Sequence, residues 1–182
     1  MVSYVDDGST TVARFCALLS TRPWGGGKTF LYSGLVHHFR AAGRFVLCVV
    51  SSGIAGLLLP GGTTAHSINE QSACNISKNS DLAELLRQTA LIIWDEVPMQ
   101  HKYCFEAVHR TLADITGNES MFGGIPTLFG GDFAQILPVV KHGNRASTVE
   151  ANLQKSFLWD KMQVIALRQN MAHDRLAFRT RN

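Results

Sequence analysis

The 182-residue sequence predicts an α/β fold with a mostly parallel sheet flanked by helices. Three observations carry that expectation. Short continuous apolar runs alternate with segments of helical spacing, and parallel strands need such a crossover element between them. Glycine-rich and acidic clusters fall directly after those runs, where ligands gather in sheets of this kind. With 46% hydrophobic and 17% charged residues, the chain can bury enough apolar surface to offset its entropy, which excludes a wholly disordered protein.

The elements follow in chain order. Residues 1–15 are the least interpretable, and residues 16–182 are expected to form one domain. From Lys28 to Ala42, the residues Leu31, Leu35 and Phe39 recur on one helical face, and Gly43 follows as a stop. Phe45 to Val50 is an apolar, Val-rich run, the pattern of a strand buried on both faces. Ser80 is placed to cap a helix running to Gln88, after a polar loop around Asn75 to Asn79. Ala90 to Trp94 reads as the next strand. Phe105, Val108 and Leu112 then define a helix from about Lys102 to Ile115. Ile125 to Phe129 and Gln163 to Leu167 complete the expected strands.

Charge and cysteine usage narrow the class. A net charge of +3 is small, but residues 121–182 hold eight basic against four acidic residues, and residues 61–120 hold four against eight. The basic end suits a phosphate backbone or a solvated tail equally. Cys16, Cys48, Cys74 and Cys104 lie 26 to 32 residues apart, without the CxxC pairing of zinc sites, and are expected to be reduced and mostly buried. The longest apolar region, Phe45 to Leu59, is broken by Ser51, Ser52 and Gly53 and falls short of the ~20 residues of a membrane span. No membrane partner is expected. Asp6 and Asp7 stand where a secretion signal would be basic.

Gly25, Gly26, Gly27, Lys28 and Thr29 stand directly before the first helix. Backbone amides and a helix N-terminus can converge there on an anion, with lysine on the outer phosphates and the threonine hydroxyl on magnesium. The full pattern GxxxxGK(S/T) has glycine at position 22, where this chain has Arg22, and Trp24 lies inside the loop. After Leu91, Ile92, Ile93 and Trp94, Asp95 and Glu96 place two carboxylates where a strand emerges, and Pro98 closes the segment. Facing a phosphate loop, an aspartate can hold magnesium and a glutamate can polarise water. Gly130 to Gln135 form another strand-end loop, in which the Gln135 amide suits a γ-phosphate sensor.

Taken together, these residues resemble the Pif-one type of superfamily-one DNA helicases, particularly the branch associated with Helitron transposons. The similarity runs from about Gly25 to Met171. It rests on residues 25–32, 51–55, Thr64-Ala65-His66-Ser67, 91–96, Phe122-Gly123-Gly124, Gly131-Asp132-Phe133 with Gln135, Leu137-Pro138-Val139 and Asn170-Met171. The resemblance implies a RecA-like P-loop ATPase domain that couples ATP hydrolysis, with Mg2+, to 5′-to-3′ movement on single-stranded DNA in the nucleus. It assigns Lys28 to the outer phosphates, Thr29 and Asp95 to magnesium, Glu96 to the catalytic base, and Gln135 to the γ-phosphate sensor. Ser51, Ser52, Thr64 and His66 fall in the DNA-facing motifs.

The departures carry their own expectations. Ala134 and Ala172 stand where relatives have arginine, and the second of those arginines is expected to reach the γ-phosphate. The sequence stops at Asn182, before the motifs of a second RecA-like domain. A fragment unable to unwind DNA alone is therefore expected, because such motors close two domains around ATP. A catalytically silent nucleotide- or DNA-binding module from a decaying transposon copy is the alternative. A small-molecule or nucleotide kinase would leave Thr64 to Ser67 and Gly131 to Gln135 unexplained.

Overall fold

The computed structural model describes residues 16–21, 27–51, 71, 73–132, 137–140 and 142–167. Among these, the strands β1 (Cys16–Thr21), β2 (Phe45–Val50), β3 (Thr89–Asp95), β4 (Thr127–Gly131) and β5 (Gln163–Leu167) form one sheet in the order β2-β3-β4-β1-β5. Every pairing is parallel. Val46 stands opposite Leu91, Ile92 opposite Thr127, Cys16 opposite Thr127 on the other side of β4, and Ala17 opposite Gln163. All carboxyl ends therefore point to one edge, which gathers Val50, Asp95 and Gly131 along it.

Alternation along the strands divides the core into two faces. On one face, Ala17, Val46, Leu91, Ile93 and Leu128 meet Leu31, Tyr32, Leu35, Val36 and Phe39 of helix α1 (Lys28–Ala41). On the other, Leu18, Ile92, Trp94 and Phe129 meet helices α2 (Asp81–Gln88) and α3 (Lys102–Thr116). Trp94 and Phe105 rings lie 4.6 Å apart, and Phe129 meets Phe105 at 5.7 Å and Phe122 at 5.4 Å, both edge-on. Burying each such side chain contributes about 1.5–3 kcal/mol, so this cluster anchors the sheet to α3.

Local chemistry sets the helix ends. Ser80 Oγ accepts from the Ala83 amide, as the sequence predicts, and Asp81 and Glu84 lie in the first turn of α2. His101 Nδ1 caps α3 by accepting from Tyr103 N, and Gly117 ends it at φ 66°. The short helix α4 (Arg145–Glu150), capped by Asn144 and not anticipated from the sequence, is tied back to α3. Lys102 donates its amide to Ala151 O and pairs its ammonium with Glu150, while Ser156 Oγ donates to the buried Glu106 carboxylate at 2.6 Å.

Two expectations are corrected. Strand β2 was expected to be buried on both faces but occupies an edge of the sheet, leaving Phe45 and Val50 exposed, because an apolar run specifies a strand without specifying its place in the order. Strand β4 begins two residues later than its apolar run. Strand β1 lies inside the sheet although no sequence expectation covered it. All four cysteines are free, with Cys48 exposed on β2 and the other three buried. Among the described residues, no helix is long and apolar enough to cross a membrane.

Candidate nucleotide-binding site

The site is built where α1 starts against the carboxyl end of β3. Gly27 is the N-cap of α1, with φ 72° and ψ 6°, and among the described residues no side chain caps the first turn. Only glycine takes that left-handed conformation without a steric cost, and the uncapped amides leave the positive end of the helix dipole facing outward. No acidic residue occupies the first turn. Lys28 is the first helical residue and Thr29, exposed, the second. These features fit an anion carrying a divalent metal: amides and an ammonium for phosphate, a hydroxyl and a nearby carboxylate for the ion.

Across from the helix, Lys28 Nζ donates to Asp95 Oδ1 at 3.4 Å, an ion pair whose two side chains are roughly a quarter exposed or less. Tyr32, one turn further along α1, donates its hydroxyl to the same oxygen at 3.3 Å. The i, i+4 spacing puts Lys28 and Tyr32 on one face of the helix. Burial first, then the Asp95 charge, pushes the Tyr32 phenol well above its ordinary range, so it remains a protonated donor. Sequence reasoning gave Tyr32 no role, although its spacing from Lys28 was a readable signal.

Glu96 follows in a left-handed conformation, φ 58° and ψ 34°, and is half-buried. A non-glycine residue there costs about 1–2 kcal/mol. The conformation is held by a 3-10 turn over Val97–Met99, in which Met99 N donates to Glu96 O and Pro98 is buried. The paired glycines at the end of β4 have specific causes. A Cβ on Gly130 would overlap the Tyr32 hydroxyl and lie 2.7 Å from Asp95 Oδ1, and one on Gly131 would overlap Pro98 Cδ.

Ser51, expected among the DNA-facing residues, is enclosed at the ends of β2 and β3. It is 3% exposed, donates to the Asp95 carbonyl at 3.1 Å, and accepts from Trp94 Nε1 at 3.3 Å. Gln100 Nε2 donates to the Ser51 carbonyl. A hydroxyl committed in this way braces the ends of β2 and β3. Gly25, Gly26, Ser52, Thr64, His66 and Gln135 lie outside the described residues, as do Arg22, Trp24, Ala134 and Ala172. The structure therefore brings together Lys28, Tyr32 and Asp95, with Thr29 and Glu96 adjacent in the chain.

A parallel sheet that meets a glycine-led, lysine-bearing helix start with an aspartate at the next strand end defines a P-loop domain of the RecA-like type. The sequence matches the family model for PIF1-like helicase over residues 18–181, and the chain belongs to that family. It is 33% identical over 128 residues to the ATP-dependent DNA helicase Pif1 of Psychrobacter sp. (strain PRwf-1), a match covering 65% of this chain and 19% of the relative. The fold is shared with the Bacteroides Pif1 helicase solved in complex with ADP-AlF3 and ssDNA, at a TM-score of 0.63 and 22% identity, covering 88% of this chain and 40% of that one. The Candida albicans Pif1 helicase gives 0.64 and 24%, over 87% of this chain and 37% of the other. The chain thus spans about a fifth of the length of its Psychrobacter relative.

Proposed function

We propose that this chain is the nucleotide-binding motor domain of an ATP-dependent DNA helicase, in which hydrolysis is coupled to 5′-to-3′ movement on single-stranded DNA. The approach of Lys28 to Asp95 beside an uncapped, glycine-led helix start carries the reading. Gly25, Gly26 and Gly27 let the backbone close on the phosphates, and Lys28 takes the outer ones. Thr29 and Asp95 would hold Mg2+, which, when bound, neutralises charge on the phosphates. Glu96 is the general base and Gln135 the sensor, while Ser52, Thr64 and His66 face the DNA. A nuclear role in DNA repair and recombination accompanies this reading.

ATP turnover measured on the chain with and without single-stranded DNA, against Lys28→Ala, tests it. The readout is hydrolysis, the step that the nucleotide site itself would carry out. DNA-stimulated turnover that disappears in Lys28→Ala is expected. Equal rates in the two proteins would overturn it. The second reading, a catalytically silent module, is favoured by Arg22, Trp24 and Ala172 and predicts DNA or nucleotide binding without turnover.

A further inference from the structure

We propose that Tyr32 is a positioning residue for Asp95: by donating to Oδ1 it fixes the carboxylate and keeps the other oxygen available to the magnesium of a bound nucleotide. The inference rests on the nucleotide-binding reading above. Asp95 Oδ1 receives two donors, Lys28 Nζ at 3.4 Å and the Tyr32 hydroxyl at 3.3 Å, and they are not equivalent. Lys28 stands on a flexible stem at the first position of the helix, and its charge is required by phosphate. When it turns to phosphate, Tyr32 alone holds Oδ1. The phenol is neutral, so it neither competes for the anion nor repels the metal.

The surroundings make Tyr32 a fixed donor. Its ring packs against the apolar cluster of Ala17, Val46, Leu91, Ile93 and Leu128. Its hydroxyl occupies the space that a side chain at position 130 would fill, which is why Gly130 stands opposite. Tyr32, Asp95 and Gly130 thus link α1, β3 and β4 at one point.

Binding of mant-labelled ADP to the full chain, in magnesium and in EDTA, tests this with wild type, Tyr32→Phe, Gly130→Ala and the double variant, each checked for folding by circular dichroism. Tyr32→Phe should bind as wild type does in EDTA but lose about tenfold to a hundredfold of the affinity gained from magnesium, the worth of one hydrogen bond to a charged group. Gly130→Ala displaces the same hydroxyl and crowds Asp95 Oδ1 as well, so it should lose at least as much, alone or on the Tyr32→Phe background. An unchanged magnesium gain in Tyr32→Phe, or equal weakening with and without the metal, overturns the inference. Should Tyr32→Phe not fold, Gly130→Ala decides alone, and an unchanged magnesium gain there is equally fatal. Wild type that binds no mant-ADP overturns the nucleotide-binding reading and this inference with it.

Discussion

The Trp94 indole donates to the Ser51 hydroxyl at 3.3 Å, and that hydroxyl donates in turn to the Asp95 carbonyl at 3.1 Å. One small side chain therefore satisfies a buried donor and a strand-end acceptor while joining β2 to β3. Ser51→Ala leaves the indole N–H buried and unpaired, which costs about 1–3 kcal/mol. Urea unfolding followed by tryptophan fluorescence should show a lower midpoint at unchanged slope. An unchanged midpoint would mean that the hydroxyl bears no stabilising load.

Glycine substitutions should divide by surroundings. Gly123 and Gly43 have nearly equal φ, 68° and 69°. A Cβ at Gly43 meets nothing within 4 Å, whereas one at Gly123 lies 2.6 Å from both Leu112 O and Thr116 Oγ1. Gly43→Ala should cost only the left-handed strain, about 1–2 kcal/mol. Gly123→Ala adds a backbone collision, for about 2–5 kcal/mol in all. Denaturant titration of the two variants side by side checks this, and equal losses would contradict the structure.

Stability should fall on mild acidification through His109. Burial, then the charges of Lys161 and Arg110, holds its pKa below the ordinary value of 6.5. Its Nδ1 accepts from the Phe122 amide at 3.1 Å, a role that protonation at this nitrogen removes. Because the unfolded chain takes up the proton first, the contribution is complete above about pH 6.5 and is lost as pH falls toward the folded-state value. Unfolding midpoints at pH 7.5 and 5.5 should differ more for wild type than for His109→Gln. Equal differences would remove His109 from the account.

What could be read from the sequence was whatever one segment decides by itself. The Ser80 cap, the helical spacing of Phe105, Val108 and Leu112, and the run Gln163–Leu167 all rest on local chemistry and match the structure. Strand β1 does not: Cys-Ala-Leu-Leu-Ser-Thr lacks the β-branched run of a strand, and its state comes from pairing with β4 and β5. The edge position of β2 is a property of the whole sheet. In the site, Lys28 and Asp95 were legible because their residue types and order announce their chemistry. Tyr32 and Ser51 act through directions their side chains take only after α1 and β3 have packed: the spacing of Tyr32 from Lys28 signalled a shared face without naming its partner, and Ser51 was expected to face DNA.

Glu96 sets stability against the proposed chemistry. Its left-handed backbone, φ 58° and ψ 34°, is a cost that asparagine bears far better, because its short polar side chain favours that region. Glu96→Asn should therefore raise stability by about 0.5–1 kcal/mol while removing the carboxylate proposed as general base. The expected pair of results is a melting temperature a few degrees higher and ATP turnover reduced by about 10²-fold or more, with mant-ADP binding retained. A variant that is more stable and fully active would show that another group takes the proton. A variant that is less stable would mean that the Glu96 side chain contributes contacts outweighing the strain of its backbone.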